Sequence, residues 1–156
     1  MSKVIMTCGM ICCGKSTYAR KIRAESNAVI LSVDDITLTL FPDGSGDMHD
    51  TYAQRSSQYL LDLSLQILRA GVDVILDWGL WTRAVRDQIR DFYASHEGIK
   101  TELHYLRPHP AEWKKRIEKR NASGEKAYYV DEGLLNKAIS LFEEPSEDEV
   151  DVLIEQ

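Results

Sequence analysis

Apolar residues in this chain gather in short solid runs, at Lys3–Cys8, Ala28–Val33, Val72–Asp77 and Thr101–Leu106. Each has the length and the β-branched or aromatic content of a buried strand. Between the runs the apolar spacing becomes helical. Lys15–Glu25 repeats through Ala19 and Ile22, Thr51–Ala70 through Leu60, Leu63 and Ile67, and Thr82–Ala94 through Val85, Ile89 and Phe92. Gly71 stands where a helix would end in the left-handed conformation, and Pro110 suits the first turn of a helix running to about Asn121. A last helix is expected over Asp131–Phe142. The tail Val150–Ile154 reads as a fifth strand or as a loose terminus.

Strands alternating with helices predict an α/β fold: a parallel sheet covered on both faces, because each crossover must return the chain to the same strand direction. Ligands in such sheets sit at the carboxyl ends of the strands, which directs attention to the residues just after each run. The turn-rich stretch Pro42–Asp47 reads as a connection and not a domain boundary. With 156 residues, one compact domain over residues 1–156 is expected.

Charge narrows the range of partners. The balance of 19 Lys and Arg against 25 Asp and Glu gives −6, which disfavours non-specific adhesion to nucleic-acid backbones or anionic membranes. No apolar run approaches the roughly 20 residues of a membrane span, and the N-terminus has no secretory apolar core, so a cytoplasmic location is expected. Cys8, Cys12 and Cys13 lie too close together for a disulfide framework and are too few for a four-ligand zinc site. They read as reduced thiols.

The chemistry starts at Gly9-Met10-Ile11-Cys12-Cys13-Gly14-Lys15-Ser16, a full match to G-x-x-x-x-G-K-[ST] between a strand and a helix. Glycines let the backbone wrap closely and turn its N–H groups inward, so Gly9 to Thr17 are expected to hold phosphate together with the helix N-terminus. Lys15 would neutralise the β/γ-oxygens and Ser16 would ligate Mg²⁺. The alternative, a glycine-rich turn with an exposed lysine, does not account for the flanking strand and helix. Cys12 and Cys13 occupy variable positions of the loop, as redox-sensitive thiols or as small packing residues.

Acids stand at two strand ends. Asp77 is placed either to meet Mg²⁺ near the attacking oxygen or to cap the helix near Thr82. Asp34 and Asp35 follow the second run, as a base or orienting group for a hydroxyl, or as solvated acids beside a helix starting at Ile36.

These residues resemble the small P-loop kinases that include phage polynucleotide kinase, chloramphenicol phosphotransferase and zeta toxins. The resemblance covers nearly the whole chain: Gly9–Ser16, Ser32-Val33-Asp34-Asp35, Asp77, Trp113–Asn121 with its arginines, and Phe142-Glu143-Glu144-Pro145. It implies a P-loop NTPase three-layer sandwich, a sheet of about five strands in the order 2-3-1-4-5, a helical lid at about residues 112–131, and Asp34 as general base. Arg116 and Arg120, four apart and so on one helical face, would clamp the phosphates, or with Lys114, Lys115 and Lys119 form only a solvated charged face.

Two departures bear on the acceptor. Thr37 stands where the polynucleotide kinase pattern has an arginine, which argues against nucleic acid as acceptor. Trp78-Gly79-Leu80-Trp81 replaces an asparagine-bearing turn, so Trp78 and Trp81 either stack on an acceptor beside Asp35 and Asp77 or pack beside the sheet. The expected activity is ATP- and Mg²⁺-dependent transfer of the γ-phosphoryl group to a small-molecule hydroxyl, by a monomer. A nucleotide-binding regulatory module or slow ATPase is the competing class. A GTPase is disfavoured, because Asn136-Lys137-Ala138-Ile139 lacks the acid of N-K-x-D.

Overall fold

The computed structural model describes residues 1–96, 98–124 and 129–156. Five strands form one parallel sheet: β1 (Val4–Cys8), β2 (Ala28–Leu31), β3 (Asp73–Leu76), β4 (Thr101–Arg107) and β5 (Val152–Glu155). Their spatial order is β2-β3-β1-β4-β5. In the centre Met6 pairs with Leu76 on one side and Leu103 on the other. The tail is therefore a strand, with His104 opposite Val152.

Among the described residues six α-helices connect the strands: α1 (Lys15–Glu25), α2 (Val33–Leu40), α3 (His49–Arg69), α4 (Arg83–Ser95), α5 (Pro110–Ser123) and α6 (Glu132–Leu141). Boundaries expected from the pattern fall within two residues of these, and α2 is the instructive exception. The apolar run Ala28–Val33 reads as strand to its end, yet β2 stops at Leu31 because the Ser32 hydroxyl accepts the Asp35 N–H and starts a helix at Val33. Asp34 and Asp35 thus lie in the first turn of α2.

The pleat of β1 sorts the core into two layers. Val4, Met6 and Cys8 point with Leu60, Leu65, Leu68, Ile89 and Tyr93 into the α3/α4 layer. Ile5 faces Ala19 and Ile22 of α1 with Ala28 and Ile75. Both faces are covered, as the α/β class requires.

One buried ionic cluster ties the C-terminal segment to α4. The guanidinium of Arg86, 1% exposed, meets both carboxylate oxygens of Glu149 at 2.9 and 3.2 Å and donates to the carbonyls of Leu80 and Glu143 at 3.0 Å each. Arg90 adds bonds to the Glu149 carboxylate and carbonyl. The bonds from Arg86 hold the Glu149 pKa down at about 2. Through Leu80, whose φ of 49° is left-handed, the cluster fixes the connection between β3 and α4. Among the described residues no helix is long and apolar enough to cross a membrane.

Candidate functional site

The loop between β1 and α1 lies at the carboxyl edge of the sheet's central strand. Gly9 is held there by close packing: a Cβ would stand 2.5 Å from Cys13 Sγ and 2.8 Å from the Leu106 carbonyl oxygen. Gly14, at φ 95°, turns the chain into α1 as its N-cap. The Lys15 ammonium bridges the loop, donating to the carbonyls of Gly9 at 3.0 Å and Met10 at 2.8 Å. The Cys13 sulfur lies 3.7 Å from the same ammonium, and a cation held by carbonyls and a thiol, with no carboxylate, keeps its charge available to an anion.

Helix α5 crosses this loop and grips three successive residues. Trp113 Nε1 donates to the Ile11 carbonyl at 2.6 Å, Arg120 Nη1 to Cys12 Sγ at 3.1 Å, and Arg116 Nη1 to the Cys13 carbonyl at 2.9 Å. The spacing 113, 116, 120 puts all three on one helical face. Trp113 was not singled out in the sequence; its place on the arginine face was the available signal. Asn121 closes the far end, exchanging two hydrogen bonds with the Val130 backbone at 2.8 and 2.9 Å. Of the expected lid at about 112–131, residues 125–128 lie outside the described residues.

The β2/β3 half of the sheet brings the acids. Asp77 and Ser16 both line the cleft, and the serine hydroxyl acts on the Asp77 carboxyl. Thr82, not Asp77, caps α4, its hydroxyl accepting the Val85 N–H at 3.3 Å. Burial pushes the Asp77 pKa up, while the Ser16 hydroxyl and the Lys15 charge oppose the rise. Asp34 reaches solvent through the open cleft, yet protein surrounds it closely enough that burial is the first cause of its raised pKa. The Asp77 charge is the second, and Lys15, Arg120 and His49 act in the opposite direction. The loop lysine, the α5 arginine and Asp77 thus all act on Asp34.

A cleft of about 1560 Å³ joins these groups; Ile11, Cys12, Gly14, Lys15, Ser16, Thr17, Asp34, Asp35, Asp77, Trp81, Arg116 and Arg120 all line it. Met10 enters only through its carbonyl to Lys15, and Cys13 is buried beneath the loop. Trp78, expected either at the acceptor or beside the sheet, takes the second place, which corrects its candidacy as an acceptor residue. It does not line the cleft; its ring packs against the α3/α4 core and its Nε1 donates to the Leu31 carbonyl at 3.1 Å. Trp81 lies flat over Gly79, where a Cβ would stand 2.7 Å from its Nε1.

Chemically, the N-terminus of α1, Lys15 and two arginines without a carboxylate partner among the described residues fit a polyphosphate, and the oxygens of Ser16 and Asp77 fit a hard divalent cation. A search of curated protein sequences gives no match. Solved structures do match in fold. A sugar kinase from Janibacter sp. shares 19% identity over 99% of this chain and 86% of its own, with a TM-score of 0.69. The Mycobacterium tuberculosis APS kinase CysC, solved with AMPPNP and APS, shares 16% over 99% of this chain and 88% of its own, TM-score 0.68. Chaetomium thermophilum Kti12, solved with ADP-AlF3, shares 15% over 98% and 88%, TM-score 0.69. The profile of a family described as an AAA domain matches residues 4–145, so the chain belongs to that AAA domain family and is built on the fold of the small P-loop kinases.

Proposed function

We propose that this chain transfers the γ-phosphoryl group of ATP to a hydroxyl of a small molecule. The observation that carries the reading is Asp34, whose carboxylate shares one open cleft with Lys15, Arg120 and Asp77 and interacts electrostatically with all three. The donor set fits both implied groups: the loop from Gly9 to Thr17, with the first amides of α1 and Lys15, for the triphosphate, Ser16 and Asp77 for Mg²⁺. Bound there, Mg²⁺ supplies neutralisation of charge on the phosphate oxygens.

The rest is done by the chain's own residues. Lys15 leaves the Gly9 and Met10 carbonyls for the β/γ-oxygens, and Arg116 and Arg120 come from the opposite side to the transferring and leaving groups. Asp34 accepts the proton of the acceptor hydroxyl as its oxygen forms a bond to the γ-phosphorus and the bond to the β-phosphate oxygen breaks, ADP leaving with the electron pair. A raised pKa suits this task, because a more basic carboxylate takes a hydroxyl proton more readily. Asp35 and Trp81 border the acceptor side.

Asp34→Asn tests the reading. Transfer is expected to fall by roughly 10²–10⁴-fold with ATP affinity nearly intact. An unchanged rate would remove Asp34 from the base role, and ATP binding with no transfer to any hydroxyl compound would make the chain a regulatory nucleotide-binding module.

A further inference from the structure

Some of the exposed apolar side chains gather in the cleft. Val85 at 40%, Leu141 at 43% and Tyr129 at 69% exposure all line the same cleft as Asp34, joined there by Trp81, Leu134 and Leu38. Scattered exposed apolar residues are ordinary, but a cluster along one wall of a concave site marks what the site takes.

The wall has a definite place. Trp81 and Val85 come from the β3–α4 connection and the first turn of α4, and Leu134 and Leu141 from α6. A backbone bond from Glu143 N–H to the Trp81 carbonyl at 2.7 Å and another from Arg83 N–H to the Glu143 carboxylate at 2.9 Å hold the end of α6 against the start of α4. The cations of the cleft belong to other elements: Lys15, Arg20 and Lys21 to α1, and Arg116, Lys119 and Arg120 to α5. In the first turn of α4, Arg83 is drawn off to Asp87 and Asp148 and Arg86 to Glu149, and neither lines the cleft.

Among the described residues a phosphoryl acceptor with an anionic group would find no countercharge on that wall, and a polyol would meet there mainly apolar carbon, with the Thr82 hydroxyl and the Asp131 carboxylate already accepting the Val85 and Leu134 N–H groups. We infer that the acceptor is an uncharged alcohol with an apolar aryl or alkyl body, seated against Trp81, Val85, Leu134 and Leu141 with its hydroxyl toward Asp34. This rests on the phosphotransferase reading and narrows it. The step is the one already written: the alcohol oxygen bonds to the γ-phosphorus, ADP departs with the electron pair, and the hydroxyl proton passes to Asp34.

The test measures ADP release and phosphoester formation from Mg-ATP with benzyl alcohol, phenylethanol and phenylpropanol, against glycerol, glucose, uridine and glycerol phosphate. Calorimetry on the same preparation reads ATP binding separately. Expected are phosphoesters of the aryl alcohols only, with KM falling roughly fourfold for each added methylene as more apolar surface is buried. Val85→Asp and Leu141→Asp replace half-exposed side chains and are expected to raise that KM at least tenfold, with circular dichroism and ATP affinity at parent values. Preference for glycerol, glucose, uridine or glycerol phosphate overturns the inference while leaving phosphotransfer standing. So does a KM that ignores chain length or the two aspartates. ATP binding with no acceptor phosphorylated overturns the inference and the transfer reading together, and absence of ATP binding removes the premise of both.

Discussion

Two pairs of arginines in this molecule have opposite surroundings. Arg86 and Arg90 on α4 spend their donors on the carboxylate and carbonyl of Glu149, and Arg86 is sealed from solvent. Among the described residues Arg116 and Arg120 on α5 meet a carbonyl and a sulfur of the phosphate loop and no carboxylate, and the buried Arg120 Nε finds no partner there. A guanidinium saturated by a carboxylate is structural, because separating it leaves two uncompensated charges. One held by neutral acceptors can exchange them for phosphate oxygens, a stronger match.

The sharpest break of this contrast is Glu149→Ala. It leaves Arg86 buried and unpaired and is expected to cost about 3–5 kcal/mol of stability, read as a lower denaturation midpoint, with Arg83→Ala as the exposed control near zero. The pH dependence follows: the folded Glu149 pKa of about 2 lies below the ordinary 4.5, so its contribution is complete above 4.5 and disappears as pH falls toward 2. Parent protein should lose stability over that window, and the variant should lose less.

Arg116→Ala works on the other pair. Transfer is expected to drop by roughly 10²–10³ in kcat, the range for removing one donor to transition-state charge, with the denaturation midpoint almost unmoved. A large stability loss with normal kcat would place Arg116 beside Arg86 as a structural group. The smallest effect is the pH profile of kcat. It should rise with pH through the raised pKa of Asp34, and Asp77→Asn should move that limb to lower pH by removing a neighbouring negative charge; a limb that stays fixed would separate the two acids.

What could be read in the sequence follows from range. The phosphate loop is contiguous and flanked by its own strand and helix, so Gly9 to Ser16 were legible at once, and the alternation of elements implied the sheet class. The strand order came through resemblance, since pairing β1 with β3 spans a separation no local pattern encodes. Arg86 and Glu149 are 63 residues apart and stayed invisible for the same reason. Trp78 and Trp81 look equivalent in sequence, yet one turns to the core and the other to the cleft, because direction in an irregular loop is set by tertiary packing and not by periodicity. Ser32 was a missed local signal: a serine three residues before Asp35 is an ordinary N-cap, and reading it would have ended β2 at Leu31.

The central claim is that the loop after β1 presents Lys15 and backbone amides to a triphosphate. Calorimetric titration of Mg-ATP into the parent protein and into Lys15→Ala tests it most directly. The account predicts one site per chain in the parent and severe weakening in the variant, with the two unfolding at the same temperature; no binding by the parent, or equal binding by both, would contradict it.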